Sequence, residues 1–279
     1  MLEDRVQDHY ASSRSGEAIA ARIIAVLRAH SGAQVAITPD TLAPLDHFHG
    51  RGVLATQALV ALLEPLAGET ILDIGSGIGG PARWIAAKHG CTVTGVDLTA
   101  AFCDAARALN AASGMADRVR IMQGSALALP LPDASFDRAY SHNVVMNIED
   151  KAGVYREAFR VLKPGGRLVL CHANAGPNGP PEFPVPWAAA PENSFLATDE
   201  ETRRDLTAAG FDIVTFHDTT PTIVPAMAAA RRKLEAEGLP PIGVHILAGE
   251  RFLERQINSM RAQEAGKVRS VEIVARKPA

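Results

Sequence analysis

A glycine-rich turn near residue 75 follows a short apolar run, and its residue types could hold a nucleotide. Gly75, Gly77 and Gly80 fit the dinucleotide spacing G-x-G-x-x-G, and a predicted helix begins directly after them. Glycine lets the backbone approach a ligand closely, and the N–H groups at a helix N-terminus favour polar or anionic ligand atoms. Asp97 stands in the acidic position that accepts ribose hydroxyls. The turn therefore predicts an adenine-nucleotide site without choosing the nucleotide.

Asp73 separates the candidate nucleotides, because it precedes the first glycine by two residues. Dinucleotide-binding enzymes usually place an apolar residue or a glycine there, whereas a carboxylate suits a cationic ligand. S-adenosylmethionine (SAM) carries an ammonium and a sulfonium group, while NAD would bring a pyrophosphate to the same helix N-terminus. This position favours SAM over NAD.

Polar residues that follow predicted strands supply further candidates. His142 and Asn143 follow the fourth strand and His172 ends the fifth, so His142 and His172 are candidate acid–base residues, although either could simply pack and form hydrogen bonds. The candidate cofactor contacts lie at the same edge of the sheet, and they are Asp73, Gly75, Ser76, Gly77, Gly79, Asp97, Leu98, Gly124, Ser125, Ala126, Ser141 and Asn143.

An alternation of strands and helices must position these residues. Such alternation predicts a parallel sheet with helices on both faces, and it places ligands at the carboxyl ends of the strands. The predicted strands are 70–74, 92–97, 119–123, 136–141, 167–172, 211–216 and 268–275. The predicted helical segments are 5–30, 53–66, 80–89, 100–112, 150–162, 199–209, 221–236 and 247–265, and a shaped polar loop is expected over 38–52.

Composition excludes several classes of protein. The 279 residues include 28 basic and 31 acidic side chains without a long basic run, which argues against a nucleic-acid partner. The apolar stretches are too short for a membrane span, and the first residues lack a signal pattern, so we expect a cytoplasmic protein. Three cysteines without C-x-x-C spacing indicate neither a disulfide framework nor a zinc site.

Four ordered motifs resemble those of class I SAM-dependent methyltransferases. They are the glycine turn at 73–80, V-D-L-T at 96–99, F-D at 136–137 and L-K-P-G-G at 162–166. The segments 7–10, 47–49 and 79–83 are similar to those of the sarcosine/dimethylglycine methyltransferase-like enzymes and their relatives, which include quinone C-methyltransferases. The ordered set is far more specific than a lone glycine motif.

The resemblance implies an α/β, Rossmann-like, doubly wound sheet of seven strands in the order 3-2-1-4-5-7-6, with the last strand antiparallel. It also implies a helical cap and cofactor-covering loop over residues 1–66, and a methyltransferase core over 67–279 with lid insertions at about 176–198 and 220–265. The implied activity is methyl transfer from SAM to a small molecule, with nitrogen preferred as the acceptor atom. Alternatives are carbon or oxygen methylation of a quinone or aromatic metabolite, a SAM-binding cyclase, decarboxylase or regulatory binder, and a disfavoured NAD-dependent oxidoreductase.

The acceptor pocket has less specific candidates. They are Tyr10, His47, His49, Arg51, Trp187 and His245. No third ligand at a suitable spacing accompanies the H-x-H pair at 47 and 49, so no metal is expected. Arg83 could reach an anionic group such as the cofactor carboxylate, or form a surface ion pair. A small molecule is the expected partner, and a monomer or a homodimer is the expected assembly.

Overall fold

A central sheet of seven strands organises the computed structural model, which describes residues 15–47, 49, 51–247 and 251–279. The strand order is β3-β2-β1-β4-β5-β7-β6. The strands are β1 (Thr70–Ile74), β2 (Thr92–Asp97), β3 (Val119–Gln123), β4 (Phe136–His142), β5 (Leu162–Ala175), β6 (Asp212–Asp218) and β7 (Val268–Arg276). Strands β1 to β5 pair in parallel, whereas β7 runs antiparallel to both β5 and β6. The expected fold and strand order are confirmed.

Helices cover both faces of the sheet and its carboxyl edge. They are α1 (Gly16–Ser31), α2 (Pro39–Asp46), α3 (Val53–Leu63), α4 (Gly80–His89), α5 (Ala100–Ala112), α6 (Lys151–Val161), α7 (Asp199–Ala208), α8 (Thr220–Glu237) and α9 (Phe252–Glu264). Short 3-10 turns occur at Val145–Asn147, Pro191–Asn193 and Val244–Ile246. No helix in the described part of the chain combines the length and the apolar composition that a membrane span requires.

The central strands are buried on both faces, which explains their nearly continuous apolar sequences. In β1, Ile71 and Leu72 are fully buried, and they belong to separate apolar clusters on the two sides of the sheet. A third cluster joins α1 and α2 to α5 through residues such as Ile23, Leu42 and Leu109. This packing holds the carboxyl ends of β1, β2 and β4 beside one another.

Helix α2 lies inside the segment for which we expected a loop, so that expectation was wrong. Thr38 caps the helix by accepting a hydrogen bond from the Thr41 backbone N–H, and the Thr41 side chain accepts one from the Thr38 backbone in return. Pro39 fits the first turn because its missing N–H would have no partner there. The polar segment that suggested a loop therefore includes a helix start signal.

The two segments expected as lid insertions have different structures. Residues 176–198 form an irregular segment that contains the turn at Pro191–Asn193, whereas 220–265 hold α8, α9 and the turn at Val244–Ile246. Strand β5 also differs from expectation at both ends, because it extends over Leu162–Ala175 and pairs with β7 as far as Ala175. Residues 1–14 lie outside the described residues, and helix α1 begins at Gly16, where the Ser15 side chain caps it, instead of forming one segment over 5–30.

Candidate functional site

The glycine turn after β1 adopts a conformation that favours glycine. Gly75, Gly77 and Gly79 have φ angles of 80°, 52° and 77°, all in the left-handed region. A Cβ atom on Gly75 would also overlap the side chain of Val144. The N–H groups of Gly75 and Ser76 donate to the carbonyl of Val96 at 2.8 and 3.1 Å, which attaches the turn to β2. The turn is thus held against the carboxyl ends of two strands.

Asp97 at the end of β2 connects the glycine turn to the next loop. One carboxylate oxygen accepts the N–H of Gly77 at 2.8 Å, and the other accepts the N–H of Thr99 at 2.9 Å. Burial raises the pKa of Asp97, and these two backbone donors oppose the increase. Each oxygen keeps a further lone pair. The carboxylate is therefore oriented and can still accept two hydroxyl groups.

Asp73 in β1 is buried and accepts a hydrogen bond from the Tyr140 hydroxyl of β4 at 2.8 Å. Burial raises the pKa of Asp73 to about 7, the Tyr140 hydrogen bond acts in the opposite direction, and the charge of Asp97 adds to the increase. A cation bound beside Asp73 would favour the ionised carboxylate. The site can therefore stabilise a positive charge next to the turn.

A cavity of about 1030 Å³ opens along the carboxyl edge of the sheet. This volume lies at the upper end of the range for small-molecule sites, so it can hold a cofactor together with an acceptor. Ten of the twelve predicted cofactor contacts line it, and they are Asp73, Gly75, Ser76, Gly77, Asp97, Leu98, Gly124, Ser125, Ala126 and Asn143.

Two predicted cofactor contacts, Gly79 and Ser141, are not among the cavity-lining residues of the described chain. Gly79 instead caps α4, and a Cβ atom there would lie 3.0 Å from a guanidinium nitrogen of Arg83. The Ser141 hydroxyl donates to the carbonyl of Ile74 at 3.0 Å and joins β4 to β1. Both residues therefore support elements that line the site without lining it themselves.

His142 and His172 both line the cavity. His142 is the last residue of β4, whereas His172 lies inside β5, which continues to Ala175 instead of ending at His172 as expected. The His142 ring stacks on the His49 ring, with 3.9 Å between centroids and 12° between planes. Burial lowers the pKa of His142 to about 3, and the charge of Arg51 contributes to the decrease. Burial likewise lowers the pKa of His172 to about 3, with a contribution from Lys151. Both rings are therefore neutral near pH 7.

These two histidines also have unsatisfied hydrogen-bonding atoms. Nδ1 of His142 and both ring nitrogens of His172 are buried without a hydrogen-bond partner among the described residues. Such atoms carry a desolvation cost that a ligand hydroxyl could relieve. The arrangement can accept a hydrogen bond at the acceptor side of the cavity.

The predicted acceptor-pocket residues divide into three groups. His49, Arg51 and Trp187 line the cavity, and the Trp187 indole donates to Ser194 Oγ at 2.9 Å. His47 and His245 are outside the lining of the described cavity, and His47 Nδ1 is 2.8 Å from Asp46 Oδ1. Tyr10 lies outside the described residues.

Arg83 differs from both of its expected roles, since it is fully buried. Its guanidinium donates to the Asp46 carboxylate at 2.9 Å, to Asn110 Oδ1 at 2.8 Å and to the Ile78 carbonyl at 2.7 Å. It therefore neither lines the cavity, where it could reach an anionic group of the cofactor, nor forms a surface ion pair. Burial on its own raises the pKa of Asp46, but the hydrogen bond from His47 and the charge of Arg83 hold it below its usual range.

Sequence reasoning missed most of the wall that α8 and α9 contribute. Thr222, Ile223, Ala226, Met227 and Ala230 on α8 line the cavity at helical spacing. The α9 residues of the wall are Phe252, Arg255, Gln256, Ser259, Met260 and Gln263. Lining residues recur at i, i+4 spacing on both helices, which indicates a common face. Because the side chains on that face are small or polar, the sequence alone does not identify it as the wall of a ligand cavity. No group of three or more metal-ligating side chains occurs within the described residues.

The residues at the cofactor end fit SAM. Asp97 can accept ribose hydroxyls, Asp73 can face a cationic group, and Ser76 Oγ is buried without a hydrogen-bond partner in the described chain. The close approach of Ser76 to Gly95, whose added Cβ would lie 2.6 Å from Ser76 Oγ, leaves little room for larger side chains. Asp97, Asp73 and Ser76 would thus supply the hydrogen-bonding groups that ribose hydroxyls and a cationic amino-acid group require.

Comparison with known proteins finds several methyltransferases and, among solved structures, the [4+2]-cyclase SpnF, which superposes with a TM-score of 0.65 at 22% identity. A methyltransferase-domain family matches residues 72–170. The O-methyltransferase resE of Aspergillus sclerotiorum is 30% identical over 215 residues, which are 76% of this chain and 78% of that protein. Methyltransferase GfsG of Streptomyces halstedii is 37% identical over 132 residues, and the match spans 47% of this chain and 46% of that protein.

An N-methyltransferase and a C-methyltransferase of known structure are also similar to this chain. The sarcosine/dimethylglycine N-methyltransferase of Aphanothece halophytica is 30% identical over 170 residues, or 61% of each chain. The geranyl diphosphate C-methyltransferase of Streptomyces coelicolor A3(2), solved with Mg²⁺, geranyl diphosphate and S-adenosylhomocysteine, superposes with a TM-score of 0.65 at 22% identity. That match covers 81% of this chain and 78% of the other, and at this identity it concerns the fold.

Proposed function

The chain belongs to the class I SAM-dependent methyltransferases, and on that premise we propose that it methylates a hydroxyl oxygen of a largely apolar small molecule. The observation that carries the proposal is the position of two neutral histidines beside an apolar wall. His142 and His172 have buried nitrogens without partners among the described residues. The same cavity is lined by the apolar side chains of Met146, Trp187 and Met227.

The apolar wall argues against the zwitterionic acceptors that the sequence resemblance suggested. Burying a carboxylate and an ammonium group of a small amino acid is costly unless both are paired. Met146 and Trp187 belong to a buried apolar cluster, and Met227 and Ala230 extend the lining along α8. Such a surface favours an aromatic or aliphatic acceptor.

Each group in the proposed site has a stated task. SAM supplies an activated methyl carbon, so the protein mainly has to align the acceptor and exclude water. Asp97 and Asp73 orient the cofactor end of the cavity through their bonds to Gly77 and Tyr140. His142 or His172 accepts the hydrogen bond of the acceptor hydroxyl and holds its proton at a ring nitrogen as that oxygen becomes methylated.

The low pKa values restrict the acceptor further. A neutral imidazole with a pKa of about 3 is a weak base, so it assists a phenol or enol more effectively than an alkyl alcohol. Oxygen of an ionisable hydroxyl group is therefore the proposed acceptor atom. Nitrogen is the second candidate, and the similarity to a sarcosine/dimethylglycine N-methyltransferase favours it.

Product analysis tests the proposal. The protein is incubated with SAM that carries a ¹³C-labelled methyl group and with separate pools of apolar phenols, apolar amines, and sarcosine with dimethylglycine. We expect labelled methyl ethers from the phenol pool. Labelled products only from sarcosine or dimethylglycine would contradict the apolar acceptor, and labelled products from none of the pools would contradict the proposed reaction.

Variants then distinguish a catalytic role of the two histidines from a purely structural one. His142→Asn should lower kcat by about tenfold or more and leave the Kd of SAM unchanged, since general acid–base groups contribute at least that much. His30→Asn is the matched control, because His30 is exposed on α1. A loss of less than a few fold in both His142→Asn and His172→Asn would remove the histidines from the mechanism.

A further inference from the structure

Helix α9 presents a polar stripe to the apolar cavity. Arg255, Gln256, Ser259 and Gln263 all line the cavity and recur at helical spacing. At the inner end of the stripe, Gln263 Oε1 accepts a hydrogen bond from Ser270 Oγ at 3.1 Å. Ser270 pairs with Ala173, the residue after His172. The inner end of the stripe therefore lies at the sheet edge where methyl transfer is proposed.

Arg255 marks the outer end of the same stripe. It lies roughly two helical turns before Gln263, which corresponds to about 12 Å along the helix axis. Both residues line one cavity, so its wall continues over this distance. Met227 and Ala230 on the neighbouring helix α8 and Phe252 on α9 make this part of the wall largely apolar. The cavity thus suits an elongated acceptor.

The charges of the described lining leave Arg255 without a counterion. Arg51 Nη2 is 3.9 Å from Glu272 Oε1, and Asp46 pairs with Arg83. The adjacent Glu254 pairs with Arg251 at 2.7 Å. Arg255 forms no ion pair within 4.0 Å among the residues that the structure describes, and its Nε is buried without a hydrogen-bond partner there. A buried donor of this kind is costly unless a ligand satisfies it.

From these observations we infer that the acceptor is an elongated, largely apolar monoanion whose carboxylate binds Arg255 while its hydroxyl group lies near His142 and His172. This inference rests on the proposed function and adds the substrate class. The planar guanidinium matches a carboxylate with two parallel hydrogen bonds. Among the described lining residues, Arg255 supplies one positive charge without a counterion, which favours a carboxylate over a phosphate dianion.

The test compares two probes that differ in one group. A hydroxybiphenyl carboxylate carries its phenol and its carboxylate at opposite ends of two rings, and the matching carboxamide has the same shape without the charge. Calorimetric titration of both into the full chain saturated with S-adenosylhomocysteine gives their Kd values. The wild type should bind the carboxylate at least about tenfold more tightly, as expected for charge-assisted hydrogen bonds.

Two variants test whether Arg255 causes the preference for the carboxylate probe. Arg255→Met keeps most of the side-chain length and should bind both probes equally, with carboxamide affinity unchanged. Arg251→Met removes an exposed arginine on the turn before α9 and should keep the wild-type preference. Equal affinity of the wild type for the two probes, binding of neither, or a preference that survives in Arg255→Met would overturn the inference. Because S-adenosylhomocysteine binding is measured first, a protein that fails to bind it would instead contradict the proposed function.

Discussion

The Tyr140 hydroxyl donates a hydrogen bond of 2.8 Å to the carboxylate of Asp73, and it links β4 to β1 directly below the glycine turn. This bond stabilises the ionised form of a carboxyl group whose pKa burial raises to about 7. Asp73 is therefore close to the point where a small change in its surroundings alters its charge at neutral pH. The affinity of the site for a nearby cation depends on that charge.

Tyr140→Phe should raise the pKa of Asp73 further, because the ionised carboxylate loses its donor. Since a cationic ligand favours ionised Asp73, SAM affinity should increase as the pH rises through about 7 in the wild type, and this increase should move to higher pH in the variant. We expect SAM to bind about tenfold more weakly to Tyr140→Phe at pH 7. Calorimetry between about pH 6 and pH 9 measures both effects.

Tyr155→Phe is the matched control for that substitution. Tyr155 is also fully buried, but its hydroxyl has no hydrogen-bond partner among the described residues. Its replacement should leave the pH dependence of SAM binding unchanged. An identical shift in both variants would show that the Asp73 contact is not responsible.

Acid should destabilise the fold partly through His172. Burial lowers the pKa of this ring to about 3 from its usual value of 6.5, so the unfolded chain binds a proton at a pH where the folded chain does not. Above about pH 6.5 the ring is neutral in both states, so His172 causes no loss of stability. As the pH falls from about 6.5 towards 3, His172 lowers the free energy of unfolding by at most about 1.4 kcal/mol per pH unit. His172→Leu should therefore flatten the decline in the free energy of unfolding.

Urea unfolding between about pH 4 and pH 7 measures this decline. His30→Leu provides the control, since His30 is exposed near the end of α1. A His172→Leu variant whose stability falls with pH as steeply as that of the control would disprove the assignment.

Arg83→Met should lower the free energy of unfolding by about 3–5 kcal/mol, because it leaves the buried Asp46 carboxylate without its main counterion. The double variant Asp46→Asn/Arg83→Met should lose less than Arg83→Met alone, since removal of both charges avoids an unpaired buried ion. Urea titration at neutral pH measures these differences.

Lys88→Met on the same helix is the control, because its ion pair with Asp40 is exposed. It should change the free energy of unfolding by about 0.5 kcal/mol or less. Equal losses in Arg83→Met and Lys88→Met would contradict the structural role of the Asp46–Arg83 pair.

The sheet was the most predictable part of the molecule. Strands such as Thr70–Ile74 and Thr92–Asp97 are buried on both faces, so their apolar runs end sharply at glycine or aspartate and give exact bounds. Helix α2 was missed because it lies in a polar segment whose histidines and glycines suggested a loop, although Thr38 and Thr41 form a capping box. The predicted cofactor contacts follow from the same strand ends, which explains why ten of the twelve line the cavity.

The acceptor side was much less predictable. The burial of Arg83 depends on the packing of α2 against α4 and α5, which no local pattern encodes. Arg255 and Gln263 line the cavity only because α9 packs beside α8 over the sheet edge. Ser141 lies near the end of a strand, which predicts a ligand contact, but its hydroxyl donates a hydrogen bond to the Ile74 carbonyl instead. Such roles depend on tertiary contacts between distant segments.

Calorimetric titration of the wild type and Asp97→Asn with S-adenosylhomocysteine and with NAD tests the central assignment most directly. S-adenosylhomocysteine should bind the wild type, whereas NAD should not. S-adenosylhomocysteine should bind at least about tenfold more weakly to Asp97→Asn, which loses a charged acceptor, and equally well to Asp104→Asn, whose ion pair with Arg107 is exposed. Binding of NAD alone, or equal S-adenosylhomocysteine affinity in the wild type and Asp97→Asn, would contradict that assignment.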